Sequence, residues 1–325
     1  MEQKFWQKFL KMRNRKIIEI IFLSVFFLLI VFLSLFLGNE GFFFDKTIIL
    51  NIRLPRMILG FLTGGALAFC GAVLQGLLEN PLCDPYILGI ASGAAFGVSF
   101  GYFINRYSYF VTPIFAFLGA FLAILLVYNL AFYKGKTNKL TLILAGVIVS
   151  FLFSSLTMLL MVFSKRPLTE IIYLLMGNLA IVFNKLNLII FIIVNSLTII
   201  FLIIINSYAF ELNCFALGSE VAESLGVNTK KFMRVLFFLV SFIITVQVAF
   251  AGAISFVGLM VPHLARFLFG SNYEKVLPFS FILGALTVMG ADVIARSIAP
   301  VELPISIVTT FFGAPFFLYL LKKNL

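Results

Sequence analysis

The 325-residue chain is 62% hydrophobic and only 11% charged, which excludes a soluble domain carrying one anchor and places most of the chain in lipid. Its net charge of +11 is not a nucleic-acid signature, because the basic residues crowd the flanks of apolar runs. One histidine and three cysteines (Cys70, Cys83, Cys214) without metal-ligand spacing exclude a zinc site and a disulfide framework.

The runs 57–78, 110–133, 140–164, 186–210 and 235–262 contain no Asp, Glu, Lys, Arg or His. Each exceeds the roughly 20 helical residues needed to cross a hydrocarbon layer about 30 Å thick. A soluble core helix would show a charged face, and a barrel strand would alternate apolar and polar residues; these runs do neither. The fold class is therefore an all-α integral membrane protein. In chain order, spans are expected at about 17–37, 57–78, 86–105, 110–133, 140–164, 186–208, 231–250, 257–268, 275–297 and 305–321.

Lys4, Lys8, Lys11, Arg13, Arg15 and Lys16 crowd the segment 1–16 before the first span and set it in the cytoplasm. A cleavable signal peptide does not fit, since the apolar stretch is too long and lacks a small-residue cleavage site. Ten crossings return the tail 322–325, with Lys322 and Lys323, to the same side. This arrangement gives sixteen of the 24 Lys and Arg residues to cytoplasmic segments and eight to the outside. The division of 235–262 and its sequel into two spans rests on a Gly-containing break at 251–258, and its second piece is short. A small amphipathic surface helix is expected within 165–185.

Ionisable groups inside the spans are scarce, and such groups carry function by default. Glu79 and Asp84 fall in a turn at 79–85, whose Asn-Pro and Asp-Pro pairs mark a tight loop. Asp292 and Arg296 stand four apart on one helix and are expected to pair locally. His263, after Pro262, is expected to make a structural hydrogen bond. Gly135-Lys136-Thr137 copies the end of a phosphate-binding loop, but position 130 is Leu where that loop needs Gly, so ATP is not bound this way. No nucleophile–base pair suggests an enzyme. Gly71-Ala72-x3-Gly76-Leu77-x3-Pro81 is echoed by Gly252-Ala253-x4-Gly258-Leu259-x2-Pro262, which suggests inverted repeats running in opposite directions.

Two polar sets remain. Outside, Arg53 and Arg56 bracket Leu54-Pro55, and Arg296 and Glu302 lie on a second loop. Exposed arginines suit acidic side chains of a soluble partner, with snorkelling to headgroups as the alternative. Inside, the segment from Ala216 to Val227 reads as two short helical turns punctuated by glycines. Its small and apolar residues make sense beneath another protein; a plain hairpin is the alternative.

Several further motifs join these in order: Gly71-Ala72-Val73-Leu74-Gln75-Gly76, Asn80-Pro81-Leu82, Asp84-Pro85, Leu88-Gly89 and Leu144-Ala145-Gly146, then Phe256-Val257-Gly258-Leu259, Pro262-His263 and Arg266, and finally Ala291-Asp292, Glu302-Leu303-Pro304 and Gly313-Ala314-Pro315-Phe316-Phe317. With Arg53-Leu54-Pro55-Arg56 and the 216–227 segment, they make the chain resemble the FecCD family, permease subunits of ATP-binding-cassette importers for iron chelates, haem and cobalamin. The resemblance implies a type II importer permease fold of ten transmembrane helices, dimerised with a second permease subunit around a central path. It implies two ATPase subunits gripping a coupling segment, 209–230, through Ala216, Leu217, Gly218, Glu220, Ala222, Leu225, Gly226 and Val227. It implies an extracytoplasmic substrate-binding protein docked on Arg53, Arg56 and Arg296. The cytoplasmic gate falls at Asn138, Lys139, Leu140 and Thr141, where this chain departs from the small hydroxyl residues expected. The resemblance also implies a bacterial inner-membrane transport subunit that is no enzyme, holds no cofactor and, apart from membrane lipid, meets only those protein partners. An iron complex (ferric siderophore or haem) is the expected cargo and cobalamin the alternative; a gradient-driven carrier using Asp292 is the rival mechanism.

Overall fold

A computed structural model describes residues 21, 23–38, 41–42, 44–104, 111–131, 139–163, 175–180, 185–299 and 301–324. The basic segment 1–16 and Asn138 lie outside the described residues, as does most of the surface helix expected within 165–185.

Apolar runs become helices because a backbone in lipid must satisfy its own hydrogen bonds. Helix α1 (Leu23–Phe36) leads through a two-residue hairpin, β1 (Leu37–Gly38) and β2 (Gly41–Phe42), to α2 (Lys46–Leu77). Asp45 caps α2 by accepting from Thr47 N at 2.7 Å and Ile48 N at 3.3 Å, and these bonds hold its carboxyl below the usual range. Within α2 the turn Ile49–Arg53 widens to π geometry. Pro55 explains it: proline has no N–H and crowds the carbonyl four residues back, and a wider turn relieves both.

A 3₁₀ turn at Pro85–Leu88 precedes α3 (Ile90–Phe103), α4 (Thr112–Ala131), α5 (Lys139–Phe163) and α6 (Lys185–Ser207). The short helices α7 (Ala209–Phe215) and α8 (Ser219–Ser224) lead into α9 (Thr229–Ala251). Helices α10 (Val257–Phe269), α11 (Tyr273–Ser297) and α12 (Ile305–Asn324) complete the chain. Among the described residues, α2, α4, α5, α6, α9 and α11 are long and apolar enough to cross a membrane. The remaining apolar helices α1, α3, α10 and the Ile305–Tyr319 part of α12 are shorter.

Helices α2 and α9 sit in the centre, largely buried, while α5 and α6 keep most of their surface open. Close backbone approach builds this centre. A Cβ on Gly64 would collide with the Gly284 carbonyl oxygen, so α2 and α11 touch along small residues.

The two echoed glycine segments do not form an inverted repeat. Gly71 lies inside α2, whereas Gly252 has φ 70° and sits in an extended break. They pack on each other instead, and a Cβ on Gly71 would collide with the Gly258 oxygen. Gln75 then reaches Leu259 and Pro81 reaches His263, so α2 and α10 run parallel.

Helix α10 has 13 residues, about 20 Å at 1.5 Å per residue, and does not cross ~30 Å alone. Residues 252–256 precede it as non-helical backbone that turns through positive φ at Gly252 and Phe256, and several of their polar groups find side-chain partners. Ile254 N donates to Tyr86 Oη at 2.7 Å, Ser255 N donates to Ser306 Oγ at 3.0 Å, and Ser306 Oγ donates to Ala253 O at 2.9 Å. Of the expected surface helix, 177–180 plug this break: Asn178 N donates to Ala251 O, and Leu179 is buried.

Candidate functional site

The functional groups gather at two levels of α2, around Arg53–Arg56 and at Leu77, about 36 Å apart along the helix. At the first end the three arginines expected to be exposed are buried, Arg53 and Arg296 at 7% exposure and Arg56 at 6%. The cause is local. Helix α1 ends here, and its last carbonyls have no helical N–H to accept. Arg53 donates to Leu35 O at 3.0 Å, and Arg296 donates to Ser34 O at 2.6 Å and Leu33 O at 3.4 Å. Cations at a helix C-terminus also complement its dipole.

Arg56 is held differently. Its Nε and one amino group lie 2.8 Å from Asp292 Oδ1, and its other amino group donates to both Glu302 oxygens at 2.9 Å. The expected local pair exists, but Asp292 Oδ2 is 3.7 Å from Arg296 Nε and the shorter bond goes to Arg56, 236 positions away. A pocket of about 270 Å³ opens among the three arginines, Glu302, Gly38 and Ala299.

The opposite end carries the 209–230 segment. Gly218 (φ 113°) and Gly226 (φ 88°) turn the chain on either side of α8 in conformations that favour glycine. Leu217 just before Gly218, and Val221 and Leu225 between the glycines, are 70%, 40% and 58% exposed and form an apolar ridge flanked by exposed Glu220 and Glu223. Ala216 and Gly226 are exposed beside it and Val227 is half-buried, but Ala222 is fully buried. Ala222 therefore supports the ridge from beneath. The segment is pinned at both ends. Thr229 Oγ1 donates to Glu223, and Asn213 bonds Asn272 and Tyr273 N, each at 2.9 Å, at the start of α11.

Of the expected gate, Lys139 is not a bare charge. Its Nζ pairs with Glu79 Oε1 at 2.5 Å and lies 5.6 Å from the centre of the Phe215 ring. Leu140 and Thr141 are exposed and begin an open apolar stripe on α5 with Leu144, Ile148 and Phe151.

Gln75 links the neighbouring elements, a role that sequence reasoning missed. Pro262 has no N–H, which leaves the Gly258 carbonyl without its helical donor. Gln75 Nε2 reaches that oxygen at 3.4 Å and Leu259 O at 3.1 Å, while Gln75 Oε1 accepts from Arg266 at 2.6 Å. His263 Nε2 lies 2.8 Å from Pro81 O; a carbonyl only accepts, so this is the expected structural hydrogen bond. In the 79–85 loop, burial pushes the Asp84 carboxyl up to about 6, although it accepts from Tyr86 N at 2.9 Å. Burial, with Asp84 beside it, pushes the Cys83 thiol up to about 11. Among the described residues no cluster of three His, Cys, Asp or Glu could hold a metal.

Residues 16–323 match the model of the FecCD transport family. The chain is 38% identical to the cobalamin import system permease protein of Halobacterium salinarum, over 86% of this chain and 74% of the relative. It is also 38% identical to a probable iron chelatin transport system permease protein of Helicobacter pylori, over 89% of this chain and 86% of the relative. Among solved structures, an inward-facing putative metal-chelate type ABC transporter superposes with a TM-score of 0.83 at 34% identity, over 94% of this chain and 99% of that one.

Proposed function

The chain belongs to the FecCD transport family, and from that membership we propose that it is the permease of an ATP-driven importer for an iron complex, a ferric siderophore or haem. It is a multi-pass membrane transport component, not an enzyme, and works with an ATPase. The observation that carries the proposal is the exposed ridge Leu217, Val221 and Leu225. It is an apolar surface presented by a chain that has no nucleotide-binding loop of its own.

Two ATPase subunits grip one ridge on each of two permeases. Each ridge is turned by Gly218 and Gly226 and tied to α9 through Thr229 and to α11 through Asn213, so a push on it is delivered to two long helices. The second permease covers the apolar stripe on α5, and cargo passes between the two copies. A substrate-binding protein docks at the arginine end, outside the membrane, and ten crossings put both termini in the cytoplasm. The bacterial inner membrane is the compartment this implies. No cofactor takes part. The gate lies near the start of α5, where separation of Lys139 from Glu79 accompanies opening.

A gradient-driven carrier needs a free titratable acid in the membrane. Asp292, its only candidate, is bound to Arg56, which disfavours that mechanism. Cobalamin is the second cargo reading, because the cobalamin and iron chelatin relatives are equally identical to this chain. The test replaces Leu217 and Leu225 by Asp in the reconstituted complex. Uptake and ATPase binding are expected to fall together while the permease stays folded; unchanged uptake counts against the proposal. Radiolabelled iron chelates, haem and cobalamin, compared in a knockout strain, decide the cargo.

A further inference from the structure

We propose that Phe215 is a positioning residue that ties the 216–227 ridge to the Lys139–Glu79 pair, so that a push on the ridge loosens that pair; this rests on the coupling and gate roles proposed above. Three elements meet at one point. Phe215 ends α7 and is fully buried, Lys139 begins α5, and Glu79 follows α2. Lys139 Nζ is 2.5 Å from Glu79 Oε1 and stands over the Phe215 ring, 5.6 Å from its centre. A cation within about 6 Å of a ring centre is attracted by the negative face of the ring. Two attractions therefore hold Lys139, one from each neighbouring element.

The backbone of Glu79 is unusual for its residue type. Helix α2 ends in a Schellman cap, in which Asn80 N donates to Gln75 O at 3.1 Å and Glu79 N donates to Gly76 O at 3.2 Å. Such a cap puts one residue in the left-handed region, where glycine is usual, and Glu79 takes that place with φ 49°. The cap itself gains nothing from a carboxylate; what the side chain does there is meet Lys139. Strained non-glycine positions of this kind cluster at switch regions.

Phe215 in turn is fixed to the ridge. Gly218 N donates to Phe215 O at 3.0 Å and Leu217 N donates to Cys214 O at 3.1 Å, so the turn that opens the ridge includes the Phe215 backbone. The ring packs on Phe232 of α9 with centroids 5.2 Å apart. Displacing Leu217 therefore carries the ring along, while Lys139 and Glu79 stay on other elements. Withdrawal of the ring leaves Lys139 with a partly exposed ion pair, which is weak by itself.

The test measures basal ATP hydrolysis by the permease–ATPase complex in nanodiscs without a substrate-binding protein, with thermal unfolding followed in parallel. Glu79→Gly suits the cap and removes the carboxylate; Lys139→Ser removes the cation. Each should raise basal hydrolysis about three-fold, less at high salt, and together no further than either alone. Phe215→Leu keeps a buried apolar side chain without the ring face. It should raise hydrolysis about two-fold when Lys139 is present and have no further effect on the Lys139→Ser background. A packing defect acting independently of Lys139 would give the same change on both backgrounds, and that result overturns the positioning role. Unchanged hydrolysis in Glu79→Gly and Lys139→Ser overturns it too, and the coupling reading stands if Leu217→Asp with Leu225→Asp still loses the ATPase. If that ridge variant binds the ATPase normally, both are overturned.

Discussion

Replacing Gln75 by Leu removes one side chain and takes a partner from four groups, the Cys83 carbonyl at 3.4 Å among them. The Gly258 carbonyl loses the donor that compensates for Pro262, Leu259 O loses its side-chain donor, and Arg266 loses its 2.6 Å acceptor. A buried polar group left unsatisfied costs about 1–3 kcal/mol, and a bond to a charged group is worth about 1.5–3 kcal/mol. Because Tyr273 still lies 3.4 Å from Arg266, part of that charge stays solvated by protein, and the total is about 2–5 kcal/mol. Gln75→Glu separates the contributions. It keeps an acceptor for Arg266 but turns a carboxylate toward three carbonyls, so only the donor side is lost. Reversible unfolding in mixed micelles should rank the unmodified protein above the Gln75→Glu variant, and that variant above Gln75→Leu. A Gln75→Leu variant within about 0.5 kcal/mol of the unmodified protein, the scatter expected of a neutral surface change, refutes the reasoning.

Asp292→Ala leaves buried Arg56 short of a counter-charge and should cost about 3–5 kcal/mol, while Asp292→Ala with Arg56→Leu should be markedly milder, as read by a double-mutant cycle. Asp84 titrates near 6 when folded against 3.8 for the free side chain, so the folded state binds the extra proton between those values. Stability should therefore fall as pH rises from about 4 through 6, by at most roughly 3 kcal/mol, and Asp84→Asn should flatten that slope in unfolding measured at several pH values. The Lys139–Glu79 pair is partly open to solvent, so Lys139→Gln should cost about 0–1 kcal/mol with an effect that shrinks in high salt.

Helix ends are legible where a charge marks them. The expected span 140–164 becomes α5 at Lys139–Phe163, and the expected span 186–208 becomes α6 at Lys185–Ser207. The glycine break before α10 is legible for the same reason that glycine tolerates φ 70°. The start of α2 is not. Its span is expected from 57 because Arg53 and Arg56 look like loop residues, yet the helix begins at Lys46. Their charges are met by α1 carbonyls and by carboxylates 236 and 246 positions away. Backbone carbonyls leave no mark in a sequence, and pairs that distant meet only once the bundle forms. The 216–227 ridge is visible from its glycines and leucines, but that Ala222 faces inward follows from a turn whose direction Gly218 sets. Gln75 could have been suspected, since a proline four residues after Gly258 predicts an orphaned carbonyl that some side chain must satisfy.

On the function proposed above, the chain has no motor and is driven through its 216–227 segment by a separate ATPase. Proteoliposomes containing the permease alone, or with its ATPase and ATP, can be loaded with radiolabelled cargo under imposed proton or sodium gradients. Uptake should require the ATPase and hydrolysable ATP and ignore the gradients. Sustained uptake by the permease alone, following a gradient with no nucleotide hydrolysed, would contradict it.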